Sequence, residues 1–190
     1  MRQGTKRQSE RRVFPGWQWV AVALAFPLAG LIGRAVSGPV DAPLAALVGG
    51  VLTGAGLGAV QWMAAKDSFG DGPTWITSSA LGYGLGLMAG AAVVGYATDL
   101  GSLAAMGLIS GLVLGAAQGF ALAEQGQRRL ALGWGLAMPV LLALGWVAST
   151  LIGVDVDQQF TVFGAMGAIV FMLLSGLLLA RLSPSAAQTV

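Results

Sequence analysis

The chain lacks the side chains on which most metal and nucleophile chemistry depends. Its 190 residues include no cysteine and no histidine, and only 9% of them are charged. Without these residues there is no ordinary zinc, haem or copper site, no disulfide, and no Ser-His-Asp or Cys-His pair. We therefore expect no metal, no cofactor and no enzymatic activity, and we assign no catalytic residue.

The scarcity of charged residues also indicates whether water or lipid surrounds the chain. A soluble domain carries about 25% charged residues, whereas this chain is 56% hydrophobic. Such a chain cannot cover itself with water-facing residues, so we expect a lipid bilayer around it and no nucleic-acid partner. Runs of about 20 apolar residues predict six transmembrane helices. They cover residues 17–36, 43–65, 75–97, 102–123, 131–152 and 161–181.

Short polar turns separate these spans and leave no room for a second domain. The sequence therefore predicts an all-α integral membrane protein, a single six-helix bundle at residues 15–182. A basic tail at residues 1–14 and a C-terminal tail at residues 183–190 flank the bundle.

The cations orient the bundle, because positively charged loops resist translocation. Only Arg34 lies toward one side; the other nine of the ten Lys and Arg residues lie toward the opposite side. We therefore predict a multi-pass protein of the bacterial inner membrane with both termini in the cytoplasm. A cleaved signal peptide is the alternative for the basic head. Tryptophans predict interfacial belts, with Trp17, Trp19, Trp62, Trp75 and Trp134 at the cytoplasmic ends and Trp146 near the opposite ends.

Part of the chain repeats with a period of 57 residues. Positions 13–69 match positions 70–126 at fourteen places without a gap, and a third unit at 127–183 matches only weakly. Repetition at a fixed period indicates repeated structural units. Each unit holds two spans, so the copies would run in the same direction across the membrane as parallel two-helix repeats.

Small residues follow one face of the second and fourth predicted spans. Spacings of three and four residues place them on one side of a helix, where small side chains let backbones approach closely in a bilayer. We expect these two spans to pack together at the centre with the sixth, and the odd-numbered spans to lie outside. The helix-packing residues are Gly50, Gly54 and Gly58, then Gly107, Gly111 and Gly115, then Gly164.

Two amides repeat at the end of these stripes. Gln61 and Gln118 are 57 residues apart, and Ser175 occupies the corresponding depth in the sixth span. One interpretation is a polar cluster that lines a cavity, a gate or a ligand site on the cytoplasmic side. The other is interhelical hydrogen bonding, which contributes about 0.6–2 kcal/mol per bond.

Two further side chains are ligand or gate candidates. Tyr83 lies within the third span, where its hydroxyl could serve a site or only the helices. Arg34, at the end of the first span, is predicted to reach the interface and pair with Asp41. The alternative for Arg34 is capture of an anionic headgroup or substrate.

The middle of the chain resembles a group of bacterial multi-pass membrane proteins. Those proteins repeat a Gly-rich span that ends in Gln-Trp, a basic turn, and a Trp-initiated span with a Gly-Trp pair. The matching residues are Gly54, Gly58, Gln61, Trp62, Trp75, Gly82 and Tyr83. The second copy departs from the pattern because Gly119 stands where Trp is expected. The resemblance implies membership of this group but does not assign an activity.

Two functions remain open from the sequence. The first is a non-enzymatic component that recognises or passes a small neutral or lipid-like solute, without proton coupling because the spans hold no carboxylate, His or Lys. The second is a structural or assembly subunit that packs on other membrane subunits, or on copies of itself, through Gly-lined helix faces.

Overall fold

The computed structural model describes Trp19, residues 22–159 and residues 161–182. This part of the chain contains six α-helices, and none of its residues is in a strand. The helices are α1 (Ala25–Ser37), α2 (Pro43–Phe69), α3 (Gly72–Val93), α4 (Leu100–Glu124), α5 (Arg128–Leu151) and α6 (Ala165–Leu182). Short 3₁₀ turns lie at Val22–Leu24 and Val156–Gln158. The predicted tails at 1–14 and 183–190, and Trp17, lie outside the described residues.

Helices α2 to α6 have the length and composition of membrane spans. Each has 18 residues or more, and the mean hydropathy of their most apolar windows is between 1.3 and 2.1. At 1.5 Å per residue, 18 residues rise about 27 Å, which is close to the ~30 Å hydrocarbon core of a bilayer. The segment Val22–Ser37 is apolar but shorter. The chain is therefore an all-helical, multi-pass membrane protein.

Hydropathy locates the spans but misplaces several of their ends by three or four residues. The second helix continues to Phe69, past the predicted end at residue 65. The third helix ends at Val93, four residues before the predicted end, because Gly95 and Tyr96 both adopt positive φ angles (61° and 60°) that no α-helix accommodates. The last helix begins at Ala165 rather than at residue 161.

The helices pack in chain order, each on the next, and α6 returns to the Val22–Leu24 turn and to α1. The described helices thus form a closed ring. One end of the ring, here the basic end, carries Lys66 in the last turn of α2, Arg128 and Arg129 at the start of α5, and Arg181 in α6. The opposite, acidic end carries Arg34, Asp41, Asp99, Asp155 and Asp157.

The glycine stripe of α2 lies against α3. A Cβ atom added at Gly50 would come within 2.8 Å of Gly84 Cα, and one at Gly58 within 2.7 Å of Ser79 Cβ. Between them, an added Cβ at Gly54 would collide with the carbonyl oxygen of Ser79. The two helices therefore approach so closely that a side chain at any of these positions would force them apart.

The glycine stripe of α4 lies in the same way against α5. An added Cβ at Gly107 would lie 2.8 Å from Ala143 Cα, and one at Gly115 would lie 2.6 Å from the carbonyl oxygen of Gly135. An added Cβ at Gly111 would collide with the carbonyl oxygen of Met138.

The predicted centre, with α2 packed on α4 and odd helices outside, is therefore wrong. Turns of two and three residues join α2 to α3 and α4 to α5, so each pair is antiparallel and adjacent, and the glycine faces are used at those contacts. Two of the odd helices are more buried than the even ones: 50% of the α3 window and 44% of the α5 window are inside, against 39% for α2, α4 and α6.

The connection between α5 and α6 folds back into the ring at the acidic end. Thr161, Val162 and Phe163 are buried although they are not helical. Irregular backbone at membrane depth is tolerated only where protein surrounds it. Gly164 therefore precedes α6 and faces the side chain of Val154, which corrects its assignment as a helix-packing residue. Gly167 is the α6 glycine that lies against α5.

Aspartates cap two helices at opposite ends of the ring. Asp71 accepts a hydrogen bond from the backbone N–H of Thr74 (2.9 Å), and Asp99 accepts one from that of Ser102 (3.1 Å). Hydrogen bonds from the side chain and then the backbone of Ser102 lower the pKa of the Asp99 carboxyl, and those from Thr74 lower the pKa of Asp71. Such caps satisfy amide groups that have no partner within the helix.

Replacing Gly115 by Leu should destabilise the protein by about 1–3 kcal/mol, the usual cost of overpacking a filled contact. The neighbouring Ala116 is exposed, so Ala116→Leu places the same side chain at a lipid-facing position and should have little effect. Thermal unfolding in detergent, followed by circular dichroism, measures both. Equal losses in the two variants would contradict a close α4–α5 contact at Gly115.

The Asp99 cap should make stability depend on pH on the acid side. Because the pKa of Asp99 is lowered in the folded state, its stabilising effect is present above the unfolded pKa, about 3.9, and is lost as pH falls through the lowered value. Asn is an equally good cap that does not titrate. Asp99→Asn should therefore flatten the acid limb of a plot of melting temperature against pH. An unchanged limb would mean that other carboxylates set it.

Candidate functional site

Aromatic side chains fill the middle of the ring near its basic end. Trp19, Trp75 and Trp134 are almost completely buried and surround Phe69. The Phe69 ring stacks on Trp75 with a centroid distance of 3.9 Å and lies 5.4 Å from Trp134 and 5.6 Å from Trp19. We call these four residues the aromatic layer.

The aromatic layer corrects the prediction of an interfacial tryptophan belt. Trp19, Trp75 and Trp134 face one another inside the ring, and Trp146 is buried near the acidic end. Trp62 is half-buried and donates to the carbonyl oxygen of Gly70 (2.8 Å). An indole near the end of a span can turn outward or inward, and a buried one needs a partner for its N–H.

Gln118 supplies such a partner. Its Oε1 accepts from Trp134 Nε1 (2.7 Å), and its Nε2 donates to Ser79 Oγ (2.8 Å). Ser79 in turn donates to the carbonyl oxygen of Trp75 (2.8 Å). This chain of hydrogen bonds crosses from α5 through α4 to α3, and all of its side chains are buried.

Ser175 has a similar place on α6. Trp19 Nε1 donates to the carbonyl oxygen of Met172 (2.9 Å) and to Ser175 Oγ (3.3 Å). Beside them, an added Cβ at Gly176 would lie 2.6 Å from the Trp19 ring. These contacts join the last helix to the first described residue and close the ring.

Gln61 is the exception. It is buried on α2, yet its Oε1 has no hydrogen-bond partner among the described residues, and neither has Trp75 Nε1 on the adjoining α3. The predicted trio of Gln61, Gln118 and Ser175 is therefore not one hydrogen-bonded cluster. Gln118 and Ser175 each accept a hydrogen bond from a buried indole N–H, and Gln61 has an unpaired oxygen.

A second polar group lies toward the acidic end, around the returning segment. Tyr83 donates from its hydroxyl to the carbonyl oxygen of Thr161 (2.7 Å). The Thr161 hydroxyl lies 2.8 Å from that of Thr53 and donates to the carbonyl oxygen of Gly30 (3.1 Å). Tyr83 thus fixes an irregular segment of backbone. Sequence reasoning missed Thr53 and Thr161, since it placed residue 161 at the start of the sixth helix and not in an irregular segment.

Arg34 also contacts the α5–α6 connection. Its Nε donates to the carbonyl oxygen of Gln158 (3.0 Å) and its Nη2 to Gln158 Oε1 (3.1 Å). The predicted pairing with Asp41 is replaced by these bonds. Arg34 therefore ties the end of α1 to the turn that precedes the returning segment.

The candidate residues thus contribute amide, hydroxyl and indole groups that bond mainly to other parts of the bundle. Among the described residues, no group of three or more Asp and Glu side chains could hold a metal ion. The spacing of the tryptophans was the signal that could have located the layer: Trp75 follows Trp19 by 56 residues and Trp134 follows Trp75 by 59, both close to the 57-residue period.

Comparison of the chain with protein-family models, curated proteins and solved structures finds no match. The resemblance to the Gln-Trp repeat proteins stays a prediction. Functional inference therefore depends on the helices and side chains themselves.

Replacement by Leu should lower the stability of the protein at Gln118 but not at Gln61. Gln118→Leu leaves Trp134 Nε1 buried without an acceptor, which costs about 1–3 kcal/mol. Gln61→Leu removes an oxygen that already lacks a partner, so we expect a neutral or slightly stabilising effect. Unfolding free energies in detergent measure the difference. Equal destabilisation of both variants would mean that Gln61 has a partner in the membrane.

Proposed function

We propose that this protein is a non-enzymatic structural subunit of a larger membrane assembly. The observation that carries the proposal is the filled interior of the ring. Near the basic end the aromatic layer occupies the middle, and near the acidic end Phe163 stacks on Phe26 (centroids 5.6 Å apart) and contacts Phe171 and Trp146. A filled interior fixes the shape of the bundle. Contacts with other subunits are then made by its outer surface.

Passage of a small neutral or lipid-like solute, the other function open from the sequence, has less support. A path along the ring axis would have to separate Trp75, Trp134 and Phe69, which have no measurable exposure. It would also have to break the bonds of Gln118, which bridge three helices. Gln118 and Tyr83 thus act in this proposal as interhelical bonds rather than as gate residues.

The outer surface that remains is apolar. Large side chains are exposed along α1, α4 and α5, among them Leu28, Leu112 and Leu136 at 62%, 62% and 78%. The glycine stripes are already occupied by neighbouring helices. A partner would therefore meet these larger side chains, and lipid would cover the rest.

The proposal includes the orientation and the repeat. We place the basic end in the cytoplasm, following the positive-inside rule. We take α1–α2 and α3–α4 as related hairpins. Two polar contacts support this: Thr53 Oγ1 lies 3.5 Å from Ala29 O, and Ser110 Oγ donates to Gly86 O (3.2 Å). The hydroxyl residue and the carbonyl residue are each displaced by 57 positions between the two contacts.

Mild extraction followed by native mass spectrometry tests the assembly role. We expect another membrane subunit to remain bound in a fixed ratio, or else a defined homo-oligomer. Reconstituted vesicles provide the second arm, in which the protein alone should not raise the flux of small neutral solutes. A lone monomer that raises this flux would overturn the proposal.

Paired alanine substitutions should locate the contact face. Three variants replace exposed pairs on different helices, Leu28 with Ile32, Leu108 with Leu112, and Leu132 with Leu136. Lipid accepts Ala in place of Leu, whereas the same truncation in a packed interface leaves a cavity that weakens the contact. One variant should therefore lose the partner, with the other two as matched controls. Retention in all three would place the contact elsewhere.

A further inference from the structure

Helices α5 and α6 each carry an exposed arginine where they meet at the basic end of the ring. A Cβ atom added at Gly133 on α5 would collide with the side chain of Leu182 on α6, so the start of one helix packs on the end of the other. Arg129 lies one turn before Gly133, and Arg181 directly precedes Leu182. We call this contact, with its two arginines, the α5–α6 seam.

Exposed leucines continue from each arginine along the apolar part of its helix. On α5, Leu132 and Leu136 follow Arg129 at spacings of three and seven residues, which keep all three on one face. On α6, Leu177 precedes Arg181 by four residues and so shares its face. The exposed fractions of these leucines are 68%, 78% and 58%. Each helix therefore presents a stripe that has a cation at its end and apolar side chains along its length.

The described part of the chain provides no anion for these arginines. Neither Arg129 nor Arg181 forms an ion pair or a side-chain hydrogen bond with another described residue, and the sequences of α5 and α6 contain no Asp or Glu. Arg129 also lies in the first turn of α5, where the positive end of the helix dipole disfavours a cation. The acidic residues of the basic end lie beside other helices, at Asp67, Asp71 and Glu124.

We propose that the α5–α6 seam binds an anionic phospholipid of the surrounding bilayer. The phosphate lies between Arg129 and Arg181, and the acyl chains lie along the leucine stripes. Guanidinium groups donate paired hydrogen bonds to phosphate oxygens, and basic groups at the end of a span attract anionic headgroups. A phospholipid matches the leucines as well as the arginines. This site is independent of the assembly role, and it assigns Leu132 and Leu136 to lipid rather than to a subunit.

Electron spin resonance of spin-labelled lipids tests the proposal on the full chain in phosphatidylcholine vesicles. Phosphatidylglycerol or phosphatidylcholine, labelled on an acyl chain, is added as a trace, and the fraction of label immobilised by the protein gives the relative affinity. We expect phosphatidylglycerol to be preferred about twofold, because one favoured site is averaged with the lipid around the rest of the ring. Arg129→Gln combined with Arg181→Gln should remove this preference.

A charge-matched control combines Lys6→Gln with Lys66→Gln, which removes two cations from other parts of the chain. This control should keep the preference for phosphatidylglycerol, and equal melting temperatures should show that both variants fold. The proposal is refuted if the wild type prefers neither lipid or if the double arginine variant keeps the preference. Equal loss in the two variants would also overturn it, because the preference would then follow net charge rather than the seam.

Discussion

Close approach of helix backbones is the constraint on which this structure depends. In a bilayer, burying one apolar side chain against another gains little, because lipid is equally apolar, so helices associate through small residues and interhelical hydrogen bonds. Gly54 on α2 and Gly111 on α4 meet carbonyl oxygens of the next helix. Short turns hold the helices of each pair side by side. Because each helix also packs on the next one in the chain, the six helices close into a ring.

The tryptophans follow from that ring. Six helices around one axis leave a central space that glycine faces cannot fill, and the largest side chains of the chain occupy it. An indole ring brings an N–H group with it, and the even helices provide acceptors: Gln118 for Trp134, and Ser175 with the Met172 carbonyl for Trp19. Gln118 and Ser175, which are conspicuous in the sequence, therefore serve as hydrogen-bond acceptors for buried tryptophans.

Part of this arrangement could be predicted from the sequence and part could not. The apolar runs locate α2, α4 and α5 to within a few residues, since bilayer thickness fixes the length of a span. The spacing of Gly107, Gly111 and Gly115 also identifies a face that a neighbour can approach. This spacing does not identify the neighbouring helix, because a face of small residues on α4 can pack equally well on α2, α3 or α5. Likewise, position near a span end does not distinguish an interfacial Trp75 from a buried one.

The returning segment at the acidic end shows how the ring compensates for its shortest members. Helix α1 has 13 residues and α6 has 18, so together they cover less of the axis than α2 and α4, which have 27 and 25. Thr161, Val162 and Phe163 fill the space thus left, with Val162 and Thr161 against Gly30 of α1. Such backbone is stable inside a membrane protein only if its polar groups are bonded. The Tyr83 hydroxyl meets that requirement for the Thr161 carbonyl, which explains why a tyrosine lies in the otherwise apolar and glycine-rich stretch 80–93 of α3.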